Sequence, residues 1–491
     1  MAGTANTEGS RASSRDGAGT DGGAGAAVGP AAAANTVVPG DDAERRHAVG
    51  EIMARLRGDR APVGGTFHRT PAELARIAPV VAVAPGLTVV TAAREARALL
   101  ADPRLLVGSD EPAVPAVRVS PVGEIDALYH AMFSLQDGAS HARLRQVVAP
   151  YFSLGAAQAT EPAITALVER TWDEAVSAGS GSVSAAGATE SGSEGASGPV
   201  AAEHEPAPAG FDLVAAFADP LPIRLARTTM GLPVEDEPQL MSWARLLRDQ
   251  LSPQQTGGVA PDVERAAVAG TARLRGYAER AIAEAADGPL HAIAAASRAG
   301  NIRPHEAVGL FVLLLVNGLE TLSQALVQAV RVVAADPAWL AAVRARPATA
   351  LDAFRAALRT EPPLRMLARR AGCPVTIGGS RLALGGTAVV LLAAAVAEDA
   401  ERAPGPPGAP GPRARQDGAL AYGHGKHVCL GRHHADLVGA AVLRHLAARC
   451  ARVDLLPGAR PHRHVPVNGY AYLPVRPVPH AADPFTRERS A

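Results

Sequence analysis

The sequence predicts a mainly α-helical protein with small β-sheets. Helical hydrophobic periods cover most of the chain. One segment, from Pro304 to about Ala334, is apolar almost all round until Asn317, which predicts a central buried helix. The β portion is short: VVAVAP and LTVVTA predict a hairpin around Gly86, and strand-like pieces follow in VTIGG, RLALGG and TAVVLLAAAV.

Further helices are predicted before and after this central segment. Helical periods occur in AAREARALLAD, SHARLRQVVAPYF and DLVAAFADPLPIRLARTTM. A helix from about Ala348 should stop before Pro362, because proline cannot continue a helix. Another should begin at or just after Cys429 and run to about Arg449.

Three stretches lack the large apolar residues that a folded core needs. Residues 1–40 are mostly Gly, Ala, Ser and Thr, so we expect a disordered N-terminal extension over residues 1–45. One domain should then cover residues 46–491, with a flexible insertion at residues 177–210. The prolines and glycines of residues 403–418 exclude helix and strand there.

Composition excludes several classes of protein. The formal net charge is zero, with 48 basic and 48 acidic residues, so nucleic acid and anionic membranes are not expected partners. Three widely spaced cysteines do not make a disulfide framework and favour a reducing compartment. The N-terminus lacks a secretory signal, and the longest apolar run, Val308 to Val316, is too short to span a bilayer. A cytoplasmic protein is expected.

The segment Ala421 to Ala435, AYGHGKHVCLGRHHA, carries the strongest chemical signal. Gly423 and Gly425 predict a tight backbone loop, and Cys429 stands where that loop becomes a helix. A helix N-terminus offers unpaired N–H groups and a positive dipole end, which lower the pKa of a thiol. A rigidly held thiolate is what an axial iron ligand requires.

Two other interpretations of Cys429 compete. A single cysteine at a helix start is most often structural. The nearby histidines also allow a zinc site: His424, His427, His433 and His434. Zinc sites, however, use Cys and His ligands at regular spacing, and this segment has one cysteine.

The order of residues in this segment resembles the haem-binding signature of the cytochrome P450 family, of the soluble bacterial type. That signature is an aromatic residue followed by G-x-G-x-H-x-C-x-G, and the chain matches it with Tyr422, Gly423, Gly425, His427, Cys429 and Gly431. Tyr422 stands where phenylalanine is usual. The resemblance implies that Cys429 is the proximal haem ligand and that His427 contacts a haem propionate.

Other segments agree with this resemblance in the right order. The arrangement D-x-x-x-H-x-R-x-R, which begins at Asp137, resembles the helix that holds the haem propionates and implies this role for His141 and Arg145. These two side chains share one helical face, which suits a pair of carboxylates, although a solvated charged face would show the same spacing. After Pro363, Arg369 matches a third propionate-binding position.

The predicted central helix carries polar residues within VNGLETLS. Gly318 weakens a helix by about 1 kcal/mol relative to Ala, which suggests that something approaches it closely. Glu320 and Thr321 are costly in an apolar stretch unless they are paired or used. They resemble the family's acid–alcohol pair, which implies that they relay protons to bound dioxygen. Alternatively, Thr321 bonds back to its own helix and Glu320 lies at the rim of the site.

One family motif is broken. The family has E-x-x-R in the helix before the double proline, whereas the chain has Arg359 with Ala356 in the glutamate position. A buried arginine without its carboxylate costs roughly 3–5 kcal/mol. Arg359 should therefore find another partner, with Asp352 and Glu361 as the candidates, or turn to solvent.

The resemblance implies the cytochrome P450 fold and a haem-thiolate monooxygenase that contains haem b. Such an enzyme oxidises a small organic substrate with O2, and specialised metabolism is the expected setting. Electrons should come from a ferredoxin and its ferredoxin reductase, and an acidic ferredoxin could dock on a basic patch that includes Lys426 and Arg432. The alternative is a non-catalytic helper of the same fold that stabilises or activates a partner enzyme. The broken E-x-x-R favours the helper, whereas Cys429, Glu320 and Thr321 favour the enzyme.

Overall fold

The computed structural model describes residues 42–57, 70–108, 119–182, 210–249, 261–402, 420–462 and 467–480. The predicted disordered extension lies outside these ranges except at its end, where the first helix begins at Asp42. Most of the predicted insertion and the whole stretch 403–418 also lie outside them.

Helices make up most of the described residues, as the hydrophobic periods predict. They are α1 (Asp42–Arg57), α2 (Pro71–Ile77), α3 (Ala93–Ala101), α4 (Gly123–His130), α5 (Gly138–Val148), α6 (Leu154–Ala159), α7 (Glu161–Ser182), α8 (Pro220–Met230), α9 (Glu237–Asp249), α10 (Pro261–Glu284), α11 (Gly288–Arg298), α12 (Pro304–Val316), α13 (Leu319–Ala335), α14 (Ala338–Ala345), α15 (Thr349–Thr360), α16 (Leu392–Arg402) and α17 (Arg432–Arg449). The end of α7 extends to Ser182, so its last residues fall inside the stretch predicted to be a flexible insertion.

The strands are short and form one five-stranded sheet and three small sheets. They are β1 (Val80–Ala84), β2 (Leu87–Val90), β3 (Leu105–Leu106), β4 (Phe211–Asp212), β5 (Met366–Ala371), β6 (Val375–Ile377), β7 (Ser380–Leu382), β8 (Thr387–Leu391), β9 (Cys450–Leu455), β10 (Arg460–Pro461), β11 (Tyr470–Tyr472) and β12 (Pro474–Pro479). The largest sheet has the order β1-β2-β8-β5-β3, and a three-stranded sheet has the order β4-β12-β9. The pairs β6-β7 and β10-β11 form the other two.

The structure confirms the predicted hairpin and corrects one predicted strand. Strands β1 and β2 pair antiparallel, with Gly86 at φ 73° in the turn between them. The predicted strand TAVVLLAAAV is a strand only as far as Leu391, and α16 begins at Leu392. A run of alanines favours helix over strand, and this preference decides where β8 ends.

The predicted central helix is interrupted where its polar residues begin. Helix α12 ends at Val316, α13 begins at Leu319, and Asn317 and Gly318 form a turn between them. The Thr321 hydroxyl donates to the Asn317 carbonyl at 3.1 Å, a side-chain bond that competes with the helical ladder. Glycine adds backbone freedom at the same place. Together the two helices are long and apolar enough to cross a membrane, but most of this segment is buried inside the fold, as in the core helix of a globular protein.

Two large hydrophobic clusters meet at this interrupted segment. One packs α7, α13, α15 and α17 against β9 and β12, and the other packs α4 and α5 against α8 to α12. Two smaller clusters lie on the five-stranded sheet. The turn at residues 317–318 therefore lies at the boundary between the two main cores.

A buried ion pair holds the start of α12 against α5. Glu306 has a fully buried side chain that pairs with Arg143 at 2.8 Å and Arg303 at 3.0 Å. The hydrogen bonds from Arg143, opposed by burial, lower the pKa of Glu306 to about 2. Because the folded-state pKa is lowered, the stabilisation is present above the unfolded pKa and is lost as pH falls from about 4.5 to about 2.

We expect Glu306→Gln to lower the free energy of unfolding at pH 7 by about 2–3 kcal/mol. Urea unfolding of both proteins between pH 7 and pH 3 measures this difference. The difference in unfolding free energy should narrow as the pH falls below about 4.5, because Glu306 takes up a proton in the unfolded wild-type chain while it stays ionised in the folded protein. A constant gap across that range would contradict the assigned ion pair.

Candidate functional site

A cavity of about 630 Å³ lies between the turn at residues 317–318 and the loop that carries Cys429. Its lining is mainly apolar, with leucines from α12 and α13 on one side. It brings together most of the side chains and glycines that the sequence predicts for one site: Arg145, Gly318, Thr321, Arg369, Tyr422, Gly423, His427, Cys429 and Gly431. Two predicted site residues, His141 and Glu320, do not line it.

The cysteine loop is built from two tight turns that precede α17. Gly423 and Gly425 have φ values of 76° and 74°, the left-handed region that favours glycine. A Cβ on Gly425 would lie 2.6 Å from the carbonyl oxygen of Leu100 at the end of α3, so this position also requires close approach. The Cys429 N–H donates to the Tyr422 carbonyl at 2.9 Å, which closes the loop.

The structure corrects the predicted ionisation of Cys429. Helix α17 begins at Arg432 with Gly431 as its N-cap, so the sulfur lies before the helix and not at its first residue. Burial raises the pKa of the Cys429 thiol, although the Gly431 N–H, Arg145 and Arg432 oppose this effect. A bound metal ion deprotonates a coordinating thiol. The protein alone therefore favours the neutral thiol, and the thiolate depends on metal coordination.

A buried carboxylate, Asp137, organises the loop from the side of α5. It accepts the backbone N–H groups of Val107 and Gly108, both at 2.8 Å, as well as Lys426 Nζ at 2.8 Å and His427 Nε2 at 3.1 Å. Burial alone would raise the pKa of Asp137, but these donors hold it well below its ordinary value. Lys426 is thus committed to Asp137, which removes it from the predicted basic docking patch.

The predicted anion-binding groups form a cluster with unsatisfied donors. His141 is buried behind His427, with 4.3 Å between the ring centroids. Burial and the charge of neighbouring groups lower the pKa of His141 to about 4, and burial lowers the pKa of Arg369 to about 10. Within the described ranges, His141 Nε2 and Arg369 Nε are buried without a hydrogen-bond partner. Arg145 also faces the cavity and donates to the Val428 carbonyl at 2.8 Å.

The two members of the predicted acid–alcohol pair point in different directions. Thr321 lines the cavity, while Glu320 lies outside it with its Oε1 at 3.1 Å from His462 Nε2. Gly318 also lines the cavity, and an added Cβ there would meet no protein atom within 4 Å. The predicted close approach at Gly318 therefore does not come from the described protein, and the open space belongs to the cavity.

Of the two predicted partners for Arg359, the structure favours Asp352. Burial lowers the pKa of the partly buried Arg359, and the charge of Asp352 opposes this effect. Glu361 instead accepts a hydrogen bond from Asn468 at 2.9 Å. No hydrogen bond or ion pair within 4 Å connects Arg359 to the rest of the described chain. In contrast, Arg355 on the same helix pairs with Asp436 of α17.

A closed metal site of the zinc type is not present in the described ranges. No group of three or more His, Cys, Asp or Glu side chains is placed there to hold a metal ion. Cys429 is instead a single potential ligand at one side of a mainly apolar cavity. This arrangement suits a metal that brings its other ligands with it, as in a porphyrin.

Comparisons with known proteins identify the family. The chain is 28% identical over 396 residues to the cytochrome P450 monooxygenase PikC of Streptomyces venezuelae. The matched region covers 78% of this chain and 83% of that protein. It is 27% identical to 6-deoxyerythronolide B hydroxylase of Saccharopolyspora erythraea over 428 residues, or 84% of this chain and 96% of that protein. The chain belongs to the cytochrome P450 family. No family model matches it.

The fold of this P450 is shared by solved structures. The structure of P450BioI in complex with an acyl carrier protein ligated to hexadec-9Z-enoic acid matches with a TM-score of 0.66 and 21% identity. The match covers 83% of this chain and 97% of that chain. The chain has the cytochrome P450 fold and is a P450-type monooxygenase, an oxidoreductase, of a family whose cofactor is haem iron.

The residues of this P450 fit such a cofactor. Cys429 offers a sulfur ligand, the apolar lining suits a porphyrin, and the cluster of His141, Arg145, Arg369 and His427 would hold two carboxylates. The unpaired buried nitrogens His141 Nε2 and Arg369 Nε are the observation that supports this, because buried polar groups are normally hydrogen-bonded.

Three residues of the site were not singled out by sequence reasoning. Asp137 is the first residue of the D-x-x-x-H-x-R-x-R arrangement, and its place directly before α5 is the signal available in the sequence. Arg355 and Asp436 belong to no local sequence motif, because they are far apart in the chain and meet only where α15 packs on α17. The signal in the sequence is Tyr422, which stands where phenylalanine is usual and whose hydroxyl donates to Asp436.

Proposed function

We propose that this P450 monooxygenase contains haem b and oxidises a small, mainly apolar organic molecule in specialised metabolism. The single observation that carries the proposal is Cys429, which lines a mainly apolar cavity close to two buried nitrogens, His141 Nε2 and Arg369 Nε, that have no hydrogen-bond partner in the described chain. When bound, haem iron supplies dioxygen activation, and a thiolate ligand favours cleavage of the O–O bond. One relative is named for the hydroxylation of 6-deoxyerythronolide B, which supports an organic substrate.

The roles proposed for the side chains follow from their positions around the cavity. Cys429 ligates the iron, and His141, Arg145, Arg369 and His427 hold the propionates. Gly318 leaves space on the opposite wall, while Tyr422, Gly423 and Gly431 shape the backbone around the sulfur.

The proposed proton path begins at the cavity wall. Thr321 presents its hydroxyl there, hydrogen-bonded to the Asn317 carbonyl, and would deliver a proton into a space from which the apolar lining excludes water. Glu320 lies behind it and contacts His462, whose side chain is 17% exposed. We therefore assign Glu320 to proton supply from outside the cavity and not to contact with substrate.

Electrons for the reaction are proposed to come from a ferredoxin and its ferredoxin reductase, with O2 as the oxidant. With Lys426 paired to Asp137, the proposed docking patch is reduced to Arg432 and the neighbouring His433. Charge reversal at Arg432 should slow reduction by an acidic ferredoxin and weaken its salt dependence; unchanged rates would exclude this patch. We also propose a cytoplasmic protein with one main domain, which includes α1 from Asp42 onward.

The purified protein tests the proposal directly. We expect it to bind haem, to give the carbonyl spectrum of a thiolate-ligated haem after reduction, and to show spectral shifts with some members of a panel of apolar compounds. Reconstitution with ferredoxin, its reductase and NADH should then yield an oxidised product. A folded, colourless protein that stays free of haem would instead support the non-catalytic helper, which the missing glutamate at Ala356 favours.

A further inference from the structure

The contact between α15 and α17 contains a buried charge that belongs to no family motif. Asp436 of α17 is 6% exposed, and both of its carboxylate oxygens are used. Oδ2 accepts Nη2 and, at 3.2 Å, Nε of Arg355, while Oδ1 accepts the Tyr422 hydroxyl at 2.7 Å. A buried carboxylate is costly without such partners, so these three side chains depend on one another.

This polar group connects the packing of two helices to the cysteine loop. The carbonyl of Tyr422 accepts the N–H of Cys429 at 2.9 Å, so the tyrosine is joined to Asp436 through its hydroxyl and to Cys429 through its backbone. Phe354, beside Arg355, packs its ring directly on Gly439, one turn after Asp436. The charge and the close packing therefore fix α15 and α17 in one register.

The same helix α15 carries the position where a glutamate is missing. Ala356 cannot pair with Arg359, and Arg359 makes no hydrogen bond to the described chain. Arg355, which directly precedes Ala356, is instead held by Asp436. The ion pair of α15 is thus made by a different arginine and a carboxylate on a different helix.

We propose that Arg355, Asp436 and Tyr422 form a tether that positions the Cys429 loop, and that this tether takes over the positioning that the incomplete E-x-x-R motif cannot provide. The inference rests on the proposed role of Cys429 as haem ligand. All three are positioning residues, since they act through the backbone of the loop and through α17. Removing the tether should loosen the sulfur's orientation, and outer partners of metal ligands typically contribute about 10–100-fold in metal affinity.

The test compares haem retention in variants of the holoprotein. Arg355→Ala and Asp436→Asn should release haem to an excess of apomyoglobin about 10–100-fold faster than wild type. They should also convert their reduced carbonyl complex from the thiolate-ligated to the neutral-thiol spectrum on standing. Arg359→Ala is the matched control, because it removes an arginine from the same helix that has no such bond, and it should behave as wild type.

A double-mutant cycle and two milder variants separate positioning from general destabilisation. The Arg355→Ala/Asp436→Asn double variant should release haem no faster than the worse single variant, because both act on one interaction. Arg355→Lys should restore much of the retention. Tyr422→Phe installs the residue usual for the family, keeps the packing, and should still shift the haem midpoint potential by loss of one hydrogen bond.

Equal haem release from Arg355→Ala, Asp436→Asn and Arg359→Ala would overturn the tether, as would additive effects in the cycle. If Arg355→Ala and Asp436→Asn do not fold, an unchanged potential and carbonyl spectrum in Tyr422→Phe would overturn it. Failure of the wild-type protein to bind haem is a separate outcome, because it removes the proposed function itself before any variant is compared.

Discussion

Replacement of Cys429 by serine should abolish the thiolate-type spectrum of the reduced carbonyl complex and reduce substrate oxidation to background. A serine hydroxyl remains protonated at neutral pH and does not donate electron density to iron as a thiolate does. The fold should survive, because the side chain changes by one atom in a loop held by backbone hydrogen bonds such as Cys429 N–H to the Tyr422 carbonyl. Absorption spectra and product yield measure the two effects.

Cys373→Ser is the matched control for this change. Cys373 is also a free, partly exposed thiol, but it does not line the cavity, so its replacement should leave spectrum and activity unchanged. Cys450 is less suitable because it is buried in the core, where a hydroxyl would also cost stability. An unaltered carbonyl spectrum in Cys429→Ser would refute the assignment of the haem ligand.

Replacement of Thr321 by alanine should lower product formation by about 100-fold while haem binding and substrate-induced spectral shifts persist. Thr321 lines the cavity, and its hydroxyl bonds only to the carbonyl of its own helix turn at Asn317, so its loss should not disturb the fold. Oxygen consumption should continue without matching product, because reduced oxygen no longer receives its proton at the right place. Product formation and oxygen consumption are measured in the same assay, and the substrate is the panel compound that gives the largest spectral shift.

Thr321→Ser should retain most of the product yield, since it keeps the hydroxyl. The variant Glu320→Gln offers a contrast, because Glu320 lies outside the cavity next to His462. It should lower the rate without changing the spectral shift produced by substrate. Full coupling of oxygen to product in Thr321→Ala would exclude Thr321 as the proton donor.

Much of the fold could be predicted because its signals are local. The hairpin at Gly86 needs a glycine with φ 73° between two β-branched runs, and both features are readable in the sequence. The interruption at Asn317 and Gly318 does not follow from the hydrophobic pattern of the segment. The break is slight, because Asn317 and Gly318 keep right-handed helical φ and ψ angles, and hydrophobic periodicity does not encode so local a change.

The site was predictable where spacing along the chain carries the chemistry. Cys429 and His427 lie in one short loop, so their proximity follows from the sequence alone. Their ionisation does not, because the pKa of Cys429 is raised by burial, which only the folded structure reveals. Asp436 was not predicted because its partners, Arg355 and Tyr422, lie 81 and 14 residues away and meet it only through helix packing.

The pairing of Lys426 with Asp137 has a practical consequence. Lys426 is the only lysine among the 491 residues, and its ammonium group is held at 2.8 Å from a carboxylate that is 3% exposed. An endoproteinase that cleaves only after lysine therefore has a single target, the peptide bond between Lys426 and His427. That bond lies inside the folded loop that carries Cys429. Digestion into two fragments would report local opening of this segment, with no label or spectroscopic probe required.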